Sequence, residues 1–198
     1  NGTHIPNVWG DAFDRMGNRV WGDLRVDATT AWQALPRIVT IDSTDYGYVV
    51  VWEDARAGHS DIYAQRVTKT GTMAWTPYQV CGWTSAQMQP DLVRVGVGQT
   101  SRVVVAWHDQ RNGNADIYAD VLDVPTGAAQ FGNGIPVVTA PSVQLPFSMS
   151  RYAGAGGERV VFAWNDGRDP QQSTGYYQEW LVDATGVTVL RQSDGVAI

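Results

Sequence analysis

The chain has 198 residues, a formal net charge of −6 and one cysteine, with a pI near 4.9. Lys69 is the only lysine, so non-specific nucleic-acid binding has no electrostatic footing, and a lone Cys81 excludes an internal disulfide and a cysteine-rich zinc site. No apolar run reaches the roughly 18 to 20 residues that cross a bilayer as a helix, which argues against membrane insertion, while 43% apolar residues and nine tryptophans can bury a core.

Apolar positions alternate or come in short runs broken by Gly, Pro, Asn and Asp, which predicts an all-β chain. Residues 7–13 and 15–21 read as two strands joined at Gly17. A four-strand set follows: 36–41 after a proline, 48–52, 61–68 and 72–80, with a turn at Asp45-Tyr46-Gly47. The second of these is apolar on both faces, as in a strand sandwiched between layers. The third alternates polar and apolar, as expected nearer an edge. The same set recurs at 90–95, 102–107, 116–123 and 128–138, with a turn at residues 96–99, and once more from Pro146 to a last strand at 187–198.

Markers of different type keep one period. Trp52, Trp107 and Trp164 are 55 and 57 residues apart, and Pro36, Pro90 and Pro146 are 54 and 56 apart. A fixed period of this size predicts a repeat architecture. It divides the chain into a half unit, 1–28, and three whole units, 29–82, 83–139 and 140–198, fourteen strands in a single repeat domain. The half unit lacks its first two strands, and an unpaired edge is a liability unless covered. The expected partner is therefore a protein, a second copy or further repeats.

Each unit carries Trp-x-Asp-x-Arg after an apolar run: Trp52, Asp54, Arg56; Trp107, Asp109, Arg111; Trp164, Asp166, Arg168. Trp52 to Gln65 reads Trp-x-Asp-x-Arg-x-Gly-x-x-Asp-Ile-Tyr-Ala-Gln, and Trp107 to Tyr118 repeats it with Asp120 in place of Gln. This pattern, with a downstream Gly-x-x-x-Trp, resembles a repeat of bacterial secreted and surface proteins. The resemblance covers almost the whole chain and implies a β-propeller-like fold of four-stranded antiparallel blades, not closed by this chain alone, at an extracellular or cell-surface location. It implies no activity. The hairpin from Asp14 to Trp21 is loosely similar to the Asp-box of sialidase-type propellers, though its spacing differs and Thr68 replaces the Asp in the next unit.

Because the Asp and Arg recur in every unit, they read as structural, the Asp accepting turn N–H groups and the Arg tying neighbouring units together. Asp54 with Asp61, and Asp109 with Asp116, share a seven-residue spacing that suits calcium, weighed against turn capping; no other cofactor is expected. The in-phase Trp21, Trp52, Trp75, Trp107 and Trp164 read as core wedges. The out-of-phase Trp32, Trp83 and Trp180 are candidates for stacking against a sugar. His4, His59 and His108 have no metal-ligand spacing, no catalytic residues are assigned, and Asn1-Gly2-Thr3 fits a glycosylation sequon. The reading that results is a non-catalytic interaction or assembly module. The alternative is a lectin or a sialidase- or lyase-type enzyme, with Arg37, Asp91, Arg94, Arg151 and Tyr152 facing a central channel.

Overall fold

The computed structural model describes residues 5–41, 47–97, 100–168, 171, 174–183, 186–190 and 195–198. The sequon, His4, Asp45-Tyr46 and Gly98-Gln99 lie outside them. The fold is all-β, built of several antiparallel sheets, none of them closed. The first sheet has two strands, β1 (Trp9–Phe13) and β2 (Arg19–Arg25). The second runs in order β3 (Gln33–Ile41), β4 (Gly47–Asp54), β5 (Asp61–Val67) and β6 (Tyr78–Cys81). The third repeats that order with β7 (Gln87–Val95), β8 (Arg102–Asp109), β9 (Asp116–Asp123) and β10 (Ile135–Val138). The last has β11 (Gln144–Gly154), β12 (Gly157–Asp166), β13 (Thr174–Asp183) and β14 (Gly186–Val189), with β15 (Val196–Ala197) also on β13.

Register makes the sheets comparable position by position. Trp52 faces Tyr63, Trp107 faces Tyr118 and Trp164 faces Tyr176 across the second and third strands. In the first sheet Trp9 faces Arg25 as Tyr63 faces Gln79 in the second, which makes Trp9 the counterpart of Tyr63. The cores lie between neighbouring sheets. Val49, Val51, Ile62 and Ala64 of the second pack with Leu92, Val105, Trp107 and Tyr118 of the third, and Val104, Ala106, Ile117 and Ala119 of the third with Val160, Phe162 and Trp164 of the last.

β4 and β8 are buried on both faces, as their apolar runs predict. The third strands differ from expectation. β5 is buried throughout and β9 nearly so, their polar residues included. Each is covered on both faces and paired along both edges, and one polar side chain in each, Gln65 and Asp120, turns to backbone. Gln65 Oε1 accepts the N–H of Arg66 at 2.9 Å and of Trp75 at 3.1 Å, and Asp120 takes the N–H of Val121, Phe131 and Gly134 at 2.7, 3.0 and 3.2 Å. These bonds fix an excursion that splits the fourth strand. After a bridge at Met73 or Ala129 the chain leaves the sheet and returns as β6 or β10. In the last sheet the two pieces are β14 and β15, so among the described residues fifteen strands stand where fourteen were expected of the chain.

Trp21 and Trp75 wedge between sheets as expected. Trp21 Nε1 donates to Lys69 O at 2.9 Å and Trp75 Nε1 to Val124 O at 3.2 Å, each in the following sheet's hairpin. Their rings lie on Gly71 and Gly127, where a Cβ would fall 2.8 and 3.0 Å from ring carbons. A second clip, absent from the sequence reading, uses Gln33, Gln87 and Gln144. The backbone N–H of each donates to a carbonyl of the preceding unit, Pro6, Ser60 and Ala115, at 3.0, 2.8 and 3.0 Å.

Candidate functional site

The Trp-x-Asp-x-Arg copies make one constellation three times. The Trp Nε1 donates to Oδ2 of Asp54, Asp109 and Asp166 at 3.0, 2.9 and 3.1 Å. The other oxygen takes the N–H of Arg56, Arg111 and Arg168 at 3.0, 2.9 and 2.9 Å. Each guanidinium folds back onto its Asp at 2.6, 2.6 and 2.5 Å and lies 4.0, 3.9 and 4.1 Å from the ring centroid of Tyr63, Tyr118 and Tyr176. The Asp therefore seals the end of its own strand pair. Burial acts to raise the Asp54 carboxyl, but donors from Arg56, Gln33 and Trp52 outweigh it and hold the group at about 2. The tie between neighbouring sheets differs at the first two junctions. Arg56 also pairs with the buried Asp27 of the first unit, while Arg111 meets Cys81 Sγ at 3.3 Å. Cys81 stands 54 positions after Asp27, and the next counterpart, Val138, carries no charge.

Among the described residues no group of three or more His, Cys, Asp and Glu side chains is placed to hold a metal ion. Of the calcium candidates, Asp54 and Asp109 are paired with arginine. Asp61 takes Gln79 Nε2 at 2.9 Å with His59 Nδ1 2.9 Å away, and Asp116 takes the Asn112 and Asn114 amides at 2.6 Å each. Burial pushes the Asp61 and Asp116 carboxyls up.

Trp180 is not available for stacking against a sugar. It is fully buried with its ring 4.9 Å from Phe162, because its strand, β13, is covered by the third sheet on that face. Trp32 and Trp83 are exposed, and Trp83 lies 5.0 Å from the Arg111 guanidinium.

Two features differ from the repeating frame. The first is the open side of β1. Trp9 is 58% exposed while its counterparts Tyr63 and Tyr118 are each 7% exposed. Phe13 is 62% exposed, and the matching Val67 and Leu122 are 2% and 0%. Ile38, on the neighbouring β3, is 62% exposed, and the matching Leu92 is 7%. Where first and second strands would lie against β3 and β4, a cavity of about 190 Å³ remains, lined by Val8, Trp9, Ile38, Tyr48 and Val50.

The second is a cavity of about 310 Å³ where β3, β7 and β11 meet. Leu35 and Gln89 line it at φ 48° and 53°, a left-handed conformation rare for such side chains before a proline. Register sets Arg37 against Val51, Asp91 against Ala106 and Ser148 against Ala163, so the three occupy one equivalent position, and all three line the cavity. His108, also on its wall, is buried, and burial brings its imidazole down to about 4. Of the expected channel residues only Arg37 and Asp91 meet here. Arg151 pairs with Glu158, Tyr152 bonds Glu179, and Arg94 reaches Gly96 O at 3.1 Å. Sequence spacing missed Ser148 and His108. In comparisons with known protein families, curated proteins and solved structures, the chain has no match.

Proposed function

We propose that the chain is a non-catalytic interaction and assembly module of β-propeller-like architecture, acting outside the cell or at its surface, whose two-stranded first sheet takes up a β-hairpin. The supporting observation is the contrast in burial at one register: Trp9 and Phe13 lie bare where Tyr63 and Val67 are covered. The occupant has the make of β3–β4 and β7–β8, a proline-led strand followed by one apolar on both faces. Its second strand pairs with the free edge of β1, and its apolar side chains fill the cavity beside Ile38 and Val50. Backbone bonds then give affinity and the alternating faces give register. Further repeats, a second copy or a partner protein can each bring such a hairpin, and stoichiometry tells them apart.

Sedimentation velocity over a range of concentrations, with and without a peptide of residues 36–56, tests the reading. Wild type is expected to self-associate or bind the peptide, and a Trp9→Ser, Phe13→Ser double variant to lose most of that. A monomer at every concentration that ignores the peptide overturns the proposal.

A further inference from the structure

We propose that the cavity where β3, β7 and β11 meet binds one neutral saccharide ring. The Trp-x-Asp-x-Arg constellation and the Gln clip keep one role from sheet to sheet. At the cavity the role does not repeat: one equivalent position carries a cation in Arg37, an anion in Asp91 and a hydroxyl in Ser148. Structural duty does not account for them. The Arg37 guanidinium bonds the neighbouring Pro36 carbonyl at 3.3 Å, Asp91 accepts the N–H of Leu92 at 2.9 Å, and neither forms an ion pair among the described residues.

His108 closes one wall of the cavity. Its Nε2 lies 2.9 Å from Gln144 O. A carbonyl only accepts, so Nε2 carries the proton and Nδ1 is left as a bare acceptor. That Nδ1 is buried without a partner on a side chain that lines the cavity.

The chemistry selects the ligand. Arg37 only donates, Asp91 only accepts, and Ser148 does both. An anion meets Asp91 and a cation meets Arg37, each at a loss. Ring hydroxyls donate and accept together, so adjacent hydroxyls satisfy Arg37 and Asp91 at once. Pro90, Pro146 and Phe147 offer an apolar surface to the C–H face of the ring. The volume of about 310 Å³ is at the small end of the roughly 300 to 1,000 Å³ of ligand clefts, which suits one ring.

The test is titration of the ¹⁵N-labelled chain with glucose, galactose, mannose and N-acetylglucosamine, and separately with glycine and acetate, following the backbone N–H signals of Leu35, Arg37, Gln89, Asp91, Leu92 and residues 147–149. At least one sugar is expected to give saturable shifts there, with glycine and acetate giving none. Arg37→Gln and Asp91→Asn should each weaken that sugar at least about tenfold, equivalent to about 1.4 kcal/mol, with an unchanged near-ultraviolet spectrum. Arg151→Gln, outside the cavity, should bind as wild type. No shifts with any sugar, sugar shifts indifferent to both variants, or binding of glycine or acetate instead overturns the proposal. The open edge of β1 plays no part in this readout, so the two proposals fail separately.

Discussion

Asp54 offers a thermodynamic check on the claim that the Trp-x-Asp-x-Arg motif is structural. Its carboxylate is fully buried and takes bonds from Trp52, Gln33 and Arg56. The group stands at about 2 in the folded chain against an ordinary 3.8. A depressed folded value stabilises the protein above the unfolded value, and that stability is lost as pH falls through the folded one. The gap of nearly two units is worth about 2 kcal/mol, present in full above about pH 5 and gone below about pH 2. Asp61, Asp116 and Asp120, raised by burial, act in the opposite sense, so the wild-type curve alone does not isolate Asp54. The comparison that does is urea unfolding of wild type and Asp54→Asn, followed by tryptophan fluorescence, from pH 7 to pH 2. The asparagine turns N–H groups toward the Trp52 and Arg56 donors and leaves Arg56 without its charge partner in the motif. At neutral pH this should cost roughly 3 to 5 kcal/mol. The difference between the two chains should shrink by about 2 kcal/mol as pH falls from 5 to 2. A difference that stays constant with pH refutes the reasoning, because Asp54 would then contribute no charge to stability.

Gly134 has φ 71° and a Cβ there would lie 2.5 Å from the Trp107 ring, whereas Gly113 at φ 90° has nothing within 4 Å. Gly134→Ala should therefore lose about 1 to 3 kcal/mol more stability than Gly113→Ala, which carries the left-handed penalty alone; equal losses in thermal unfolding contradict the packing. Burial pushes the Cys81 thiol up to about 12 from 9.0. A raised value stabilises the fold below the unfolded value and is lost as pH rises through the folded one, so wild type should weaken between about pH 9 and 12 more than Cys81→Ala does. At pH 8 a thiol reagent should label Cys81 only as fast as the chain opens; fast labelling of native protein refutes its burial.

The spacing of the sheets was legible because Trp52, Trp107 and Trp164 mark one register position in three sheets. Gln33, Gln87 and Gln144 keep the same period, at 54 and 57 residues, yet a glutamine in sequence looks like surface and its clip is made by the backbone. The same bias misplaced the third strands, whose Gln65 and Asp120 read as edge residues but are buried acceptors for main-chain donors. The split of the fourth strand depends on those long-range bonds and has no local signature. The cavity escaped for a geometric reason. Counting from the prolines aligns Arg37 and Asp91 with Phe147, but Pro146 stands two residues after Gln144 where Pro36 and Pro90 stand three after Gln33 and Gln87, so the residue at the equivalent register is Ser148.

Amide hydrogen exchange along β1 addresses the open edge most directly. If the first sheet is a receptor for a hairpin, the amides of Trp9–Phe13 that face away from β2 exchange far faster than those of Asp61–Val67 in β5, and the peptide of residues 36–56 slows them. Protection of β1 equal to that of β5 without any addition, or exchange that the peptide leaves untouched, contradicts it.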